Sequence, residues 1–352
     1  MNTIIKSLAV GLLLVFFSAI AHAQKEFAVL PKVELHLHLD CSLSYEVVQQ
    51  LNPAVTPEMY RDSFQAPGKC LNLADYILRA VKGFELMQTR EQLRLVTLDL
   101  FRQLKADNVI YAEIRFAPLQ HIYKGLTPEE VVATADSAMR EGMRSTGIEA
   151  GLILCTLRHF TKEQSLQTAK LAAQFKGTTV VGFDIAADEA GYPLTNHIEA
   201  FEYAHRQNIG CTAHAGEAKG AESVRETLDL LKPSRIGHGV RSIEDSTVIR
   251  RIIKKNIHLE VCPKSNYQTN IYQSPEDHVI GKLYKAGVSL GVNTDGRTIS
   301  DVTLTDEYKS LNRIFGWTKK ELLHCNLEAI DHAFTTDAVK KKIRKKLKQA
   351  YR

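Results

Sequence analysis

The sequence predicts an α/β fold, a (β/α)8 barrel of the TIM type, on three observations. Eight short runs rich in apolar and β-branched residues alternate with longer stretches of helical period, the rhythm of parallel strands joined by crossover helices. Eight such units in a chain of 352 residues suit a barrel that carries an insertion. No G-x-G-x-x-G and no G-x-x-x-x-G-K-[ST] follows any of the runs, so a doubly wound open sheet, the alternative, lacks its phosphate-binding turn. Apolar residues at 44% and charged residues at 24% supply a large core, which excludes a disordered, collagen-like or disulfide-stapled chain. Only one long apolar run exists, which excludes a multi-pass membrane protein.

That run comes first. Lys6 precedes an apolar stretch over residues 8–20, and Ala21-His22-Ala23 follows. A basic start, a short apolar core and an A-x-A ending are the parts of a cleavable secretory signal, so residues 1–23 are expected to be a signal peptide and residues 24–352 a single barrel domain. The expected destination is export, to the periplasm or beyond the cell. An uncleaved anchor is the competing reading, but the core is short for a span of about 20 residues. No stable membrane anchoring is therefore expected.

The strand-like runs cover residues 33–39, 109–116, 150–156, 179–185, 210–214, 235–238, 257–261 and 288–293. Helical periods fill residues 90–106, 127–146, 162–175, 221–232 and 243–255 between them. Residues 42–90 are too many for one connection and predict extra helices after the first strand, around 71–84, over the barrel mouth. The last 13 residues hold eight Lys or Arg and no acid, and they more than account for the formal charge of +5. They read as the solvated face of a terminal helix whose Ile343, Leu347 and Tyr351 turn inward. No nucleic-acid module is visible. Six cysteines form no C-x-x-C pair, which removes zinc ribbons and the cytidine-deaminase type of zinc site.

The chemistry-bearing residues fall at the ends of these strands. In Glu34-Leu35-His36-Leu37-His38-Leu39-Asp40, residues two apart share a face, so His36 and His38 point together into the barrel while the leucines face the helices. His214-Ala215-Gly216-Glu217 ends the fifth run, Gly237-His238-Gly239 the sixth and Asn293-Thr294-Asp295 the eighth, all where barrel enzymes gather catalytic groups. Three His and one Asp make a donor set suited to Zn²⁺ with room for water. Glu217 and His238 are the unassigned proton handlers, although spacing alone leaves open an exchange of His238 with one of the ligands.

These motifs, with Tyr111-Ala112-Glu113-Ile114-Arg115, Gly182-Phe183-Asp184-Ile185-Ala186-Ala187-Asp188-Glu189 and Leu259-Glu260-Val261-Cys262-Pro263, resemble the adenosine deaminase family from about Pro31 to Tyr351. The resemblance implies one Zn²⁺ per chain on His36, His38, His214 and Asp295, with activated water added at C6 of a purine nucleoside. It implies that Glu217 serves purine N1 and that His238 orients the water, with Asp295 accepting a hydrogen bond from it. Asp40 would hold the ribose 5′-hydroxyl, the backbone N–H near Ala187 would face purine N3, and His38 and the position of Gly296 would also belong to the substrate-binding set. Leu73, Tyr76 and Ile77 look like the lid.

Three positions depart from the family pattern. Gly296 stands where many members carry an Asp that bonds purine N7, Cys41 replaces a Gly, and Ala187 replaces the Gly facing N3. The expected activity is deamination of adenosine and 2′-deoxyadenosine. The competing activity is deamination of adenine or a modified adenosine, although adenine-specific relatives tend to carry Glu at the position of Asp40. A catalytically dead, purine-binding barrel is a reading of a different class, disfavoured because no ligand and no proton handler has been lost.

Overall fold

The computed structural model describes residues 26–352, so the leader-like segment lies outside the described residues. Eight parallel strands follow one another around a sheet in chain order: β1 Lys32–His38, β2 Val109–Phe116, β3 Glu149–Leu157, β4 Val180–Ala186, β5 Gly210–Ala215, β6 Arg235–His238, β7 His258–Val261 and β8 Leu290–Val292. Every sequence-predicted run becomes one of these strands, and crossover helices lie between them as the helical periods require.

The last strand is shorter than the apolar run, with a physical cause. Where β8 meets β1, the Asn293 side chain takes over from strand pairing: its Oδ1 accepts from the backbone N–H of Leu35 at 2.7 Å and of His36 at 3.1 Å. The backbone of Asp295 then bonds His36 and His38, N to O at 3.1 Å and O from N at 2.7 Å. This seam nearly closes the barrel, and it sets Asp295 beside the histidines of β1.

The insertion after β1 folds into helices Tyr45–Leu51, Pro57–Phe64 and Leu73–Glu85. The third crosses the barrel mouth because its apolar side, Leu73 and Tyr76, packs on Cys70 and Ile299 in a cluster separate from the main core. Tyr76 Oη shares a 2.7 Å hydrogen bond with Ser300 Oγ, which ties the helix to the loop after β8. Close approach requires Gly83, since a Cβ there would lie 1.9 Å from the carbonyl oxygen of Asp40.

The terminal helix Asp337–Ala350 buries Ile343 and Leu347, with Tyr351 just beyond it, and leaves most of its lysines in solvent. Tyr351 Oη donates to the carbonyl of Pro31, joining the C-terminus to the start of β1. Among the described residues no helix is long and apolar enough to cross a membrane. All six cysteines are free, and five are buried as small apolar groups.

Candidate metal centre and active site

His36 and His38, two apart on β1, project into the barrel mouth together with His214 from β5 and Asp295 from the loop after β8. One donor atom from each lies within 4.8 Å of the others. Neighbouring carboxylates dictate which nitrogens face the common space. His36 Nδ1 is 2.8 Å from Glu260 Oε2, and His214 Nδ1 is 3.1 Å from Asp184 Oδ2. Each Nδ1–H donates to its carboxylate, so each Nε2 turns a lone pair inward, the usual outer support of a metal-binding imidazole.

These donors fit a cation. His36 Nε2 is buried with no aligned hydrogen-bond partner, and His38 Nε2 and His214 Nε2 confront each other at 3.2 Å. Asp295 Oδ1 sits 3.3 Å from His36 Nε2 and 3.5 Å from His38 Nε2, while Ser265 Oγ donates to its Oδ2 at 2.7 Å. Three imidazole nitrogens and one carboxylate oxygen are the donor chemistry of zinc. Burial opposes charge on Asp295, yet the surrounding imidazoles hold its carboxyl well below the usual range. Burial and Arg115 disfavour charge on His36, but the carboxylates of Asp295 and Glu260 outweigh them and raise it.

Beneath the site runs a fully buried ionic layer that carries no catalytic signature in the sequence. Arg115 bridges Asp184 and Glu260, both at 2.7 Å, and Arg235 bridges Glu260 at 2.7 Å and Glu113 at 2.6 Å. Two guanidinium groups against three carboxylates leave one net negative charge below the cation site. Burial raises the cost of Asp184 ionising, but His214 and Arg115 overcome it and hold the carboxyl far down.

Glu217 and His238 lie on the other side of the same opening, with Glu217 Oε2 3.5 Å from His238 Nε2. Both are almost wholly buried, and Glu217 Oε1 has no partner. Burial, reinforced by the charges of Asp295 and Glu189, lifts the Glu217 carboxyl well above its ordinary value.

The backbone around Glu217 is set by Glu189, to which the sequence reading assigned no role. Its carboxylate accepts from the N–H groups of Gly216, Glu217, Ala218 and Lys219 at 2.6–3.0 Å. Four successive N–H groups converging on one anion make a rigid nest. Nothing in local pattern separates Glu189 from the acids beside it.

A cavity of about 440 Å³ opens above these groups, lined by His38, Asp40, Cys41, Ala187, Glu217 and His238 below and by Leu73, Tyr76 and Ile77 of the covering helix. Burial pushes the Asp40 carboxyl up to about 6. Ala187 sits in the left-handed region at φ +78°, a conformation that costs a Cβ-bearing residue about 1–2 kcal/mol. Gly296 does not line the cavity. It lies behind Cys41, and a Cβ on it would stand 2.6 Å from Cys41 Cβ and 3.0 Å from the Cys41 carbonyl. Two of the three departures are therefore one packing unit: the thiol-bearing residue occupies the room that a side chain at 296 would need. Gly296→Ala is expected to destabilise the protein by about 1–3 kcal/mol in chemical denaturation, as overpacking does. Adding Cys41→Gly should recover most of that loss. Strict additivity of the two changes would show that the positions do not compete for space.

A family model described as adenosine deaminase matches residues 31–350. The adenosine deaminase of Clostridium acetobutylicum is 36% identical over 325 residues, covering 90% of this chain and 97% of that one. Among solved structures, an adenine deaminase from Arthrobacter aurescens aligns with a TM-score of 0.84 at 24% identity, covering 91% of this chain and 99% of that one. A zinc-bound amidohydrolase from Burkholderia ambifaria aligns with a TM-score of 0.84 at 23% identity, covering 93% and 92%. Barrel and donor set together define a metal-dependent amidohydrolase. The chain belongs to the adenosine deaminase family.

The same match corrects the expectation of export. The Clostridium relative is covered over 97% of its length by 90% of this chain, which leaves it no counterpart of comparable length to the leader-like segment. Nothing in the family assignment carries export, and the expectation of export is withdrawn. The physical reason is that a charged start, an apolar core and an A-x-A ending are a compositional pattern in a short stretch, specified by no contact with the barrel.

Proposed function

We propose that the protein is a zinc-dependent adenosine deaminase that converts adenosine and 2′-deoxyadenosine, with water, to inosine and 2′-deoxyinosine plus ammonia. The observation that carries this reading is the convergence of His36, His38, His214 and Asp295 on one point facing Glu217 and His238 at the floor of a cavity of about 440 Å³. In the proposed site the first four hold one Zn²⁺ per chain. When bound, the metal supplies Lewis acidity, which brings the pKa of a coordinated water near neutrality.

The chain's own groups account for the rest. Glu217, whose protonated form burial favours, donates to purine N1 as the C6 centre becomes tetrahedral, so that negative charge does not accumulate on the ring. His238 Nε2, buried and without an aligned partner, orients the incoming water. Asp295 accepts a hydrogen bond from that water and, with Ser265 pinning its second oxygen, keeps one orientation. His38 and Asp40 face the sugar, the N–H of Ala187 faces N3, and the covering helix excludes bulk water. Asp295 takes the water's proton and passes it to the departing amino group, and the C6 hydroxyl returns a proton to the Glu217 carboxylate, so that ammonia leaves and the C6 carbonyl forms with N1 still protonated.

Cys41 and Ala187 favour a second reading, an adenine or modified-adenosine deaminase, because both add bulk where the family pattern has Gly. The test is ammonia release from adenosine, adenine and N6-methyladenosine by purified zinc-supplied protein, with a chelator control. Rapid, chelator-sensitive release from adenosine supports the first reading. No release from adenosine with zinc still bound overturns it, and release from another purine establishes the second.

A further inference from the structure

His238 is the one proton handler whose hydrogen-bond direction depends on a ring nitrogen pointing away from the cavity, and a chain of contacts settles that direction. It begins at a group with no ambiguity. The backbone N–H of Ile280 donates to His278 Nδ1 at 3.1 Å, so that nitrogen carries a lone pair. Burial pushes His278 down to about 3, so the ring is neutral and its proton is on Nε2. That Nε2–H points at Asn266 Oδ1, 3.3 Å away. The Asn266 amide cannot be reversed, because its NH₂ would then confront an N–H. Its Nδ2 therefore donates to His238 Nδ1 at 2.9 Å. A nitrogen that accepts there has no proton, and His238 must carry its proton on Nε2, the atom turned into the cavity.

We infer that Asn266 and His278 are positioning residues that hold His238 as the Nε2–H tautomer, making it a hydrogen-bond donor to the substrate water and not the base that deprotonates it. Neither residue touches the cavity. Both are buried, Asn266 in the short helix Pro263–Gln268 after β7 and His278 against the ring of Tyr272. A donor at this place holds the water by its oxygen. A neutral Nε2–H nitrogen has no lone pair to receive a proton, so that duty falls to a carboxylate. The inference rests on the proposed deaminase reading for its effect on turnover, but the tautomer itself does not.

The test is ¹⁵N-histidine NMR of the zinc-loaded, full-length protein, which distinguishes protonated from unprotonated ring nitrogens directly. His238 is expected to show a protonated Nε2 and a bare Nδ1. Asn266→Asp replaces the donor by an acceptor and should place a proton on Nδ1. In that variant kcat should fall about 10²–10⁴-fold with zinc content kept and KM changed less than about threefold; inverting a catalytic histidine's tautomer in a Ser-His-Asp triad costs about 10⁴-fold. His278→Gln offers both an acceptor for Ile280 and a donor for Asn266, and it should keep the wild-type signature and most of the turnover. A protonated Nδ1 in the wild type would overturn the proposal, even if Asn266→Asp does not fold. So would Asn266→Asp with the wild-type signature and near-normal kcat. Absence of adenosine turnover in the wild type would count against the proposed activity and leave the NMR outcome to decide the tautomer.

Discussion

Glu217→Gln is expected to keep its zinc and lose about 10²–10⁴-fold in kcat, the usual worth of a positioned general acid or base. The substitution is nearly isosteric, and the backbone at 217 is held by Glu189, so the geometry should survive. What changes is the proton. A carboxylic acid, raised by burial and by the charges of Asp295 and Glu189, can release its proton to a ring nitrogen, whereas an amide cannot. Glu217 is not one of the four converging donors, so metal content read by mass spectrometry should match the wild type. A kcat within twofold of wild type in a zinc-replete variant would remove Glu217 from the proton path.

Asp295→Ala is expected to abolish both metal retention and activity. Asp295 supplies the sole carboxylate among the four donors, and its removal leaves three neutral imidazoles to hold a divalent cation. Loss of an outer-shell support typically costs about 10–100-fold in metal affinity, and loss of a direct ligand should exceed that. The barrel seam should persist, because Asp295 joins β1 through its backbone. Its φ of +65° lies in the left-handed region, which Asp tolerates better than Ala, so a small loss of stability is expected as well. Equilibrium dialysis against a zinc chelator, with folding followed by circular dichroism, separates the two effects. A folded variant that retains zinc and turns over adenosine normally would refute Asp295 as a ligand.

The two substitutions fail differently, and the difference follows from position. Asp295 leaves the strand seam pointing at the histidines, while Glu217 sits two residues beyond β5 on a nested loop. Both were visible as residues at strand ends. Their separate surroundings were not.

Much of the site was legible in the sequence because two of its determinants are local. Strand period alone put His36 and His38 on one face and the leucines between them on the other, since side chains alternate whatever the strand pairs with. Repeated strand–helix alternation determined the barrel class, and the ends of the predicted strands determined where to look for Glu217, His238 and Asp295. The choice of nitrogen at His36 and His214, the nest made by Glu189, the contact of Cys41 with Gly296 and the contacts from Ile280 to His238 were decided only by the tertiary structure. Each joins groups whose meeting depends on barrel curvature, loop path and rotamer, and none leaves a periodic trace. The direction of a hydrogen bond is a property of two neighbours, and a sequence specifies each neighbour without saying which way it faces.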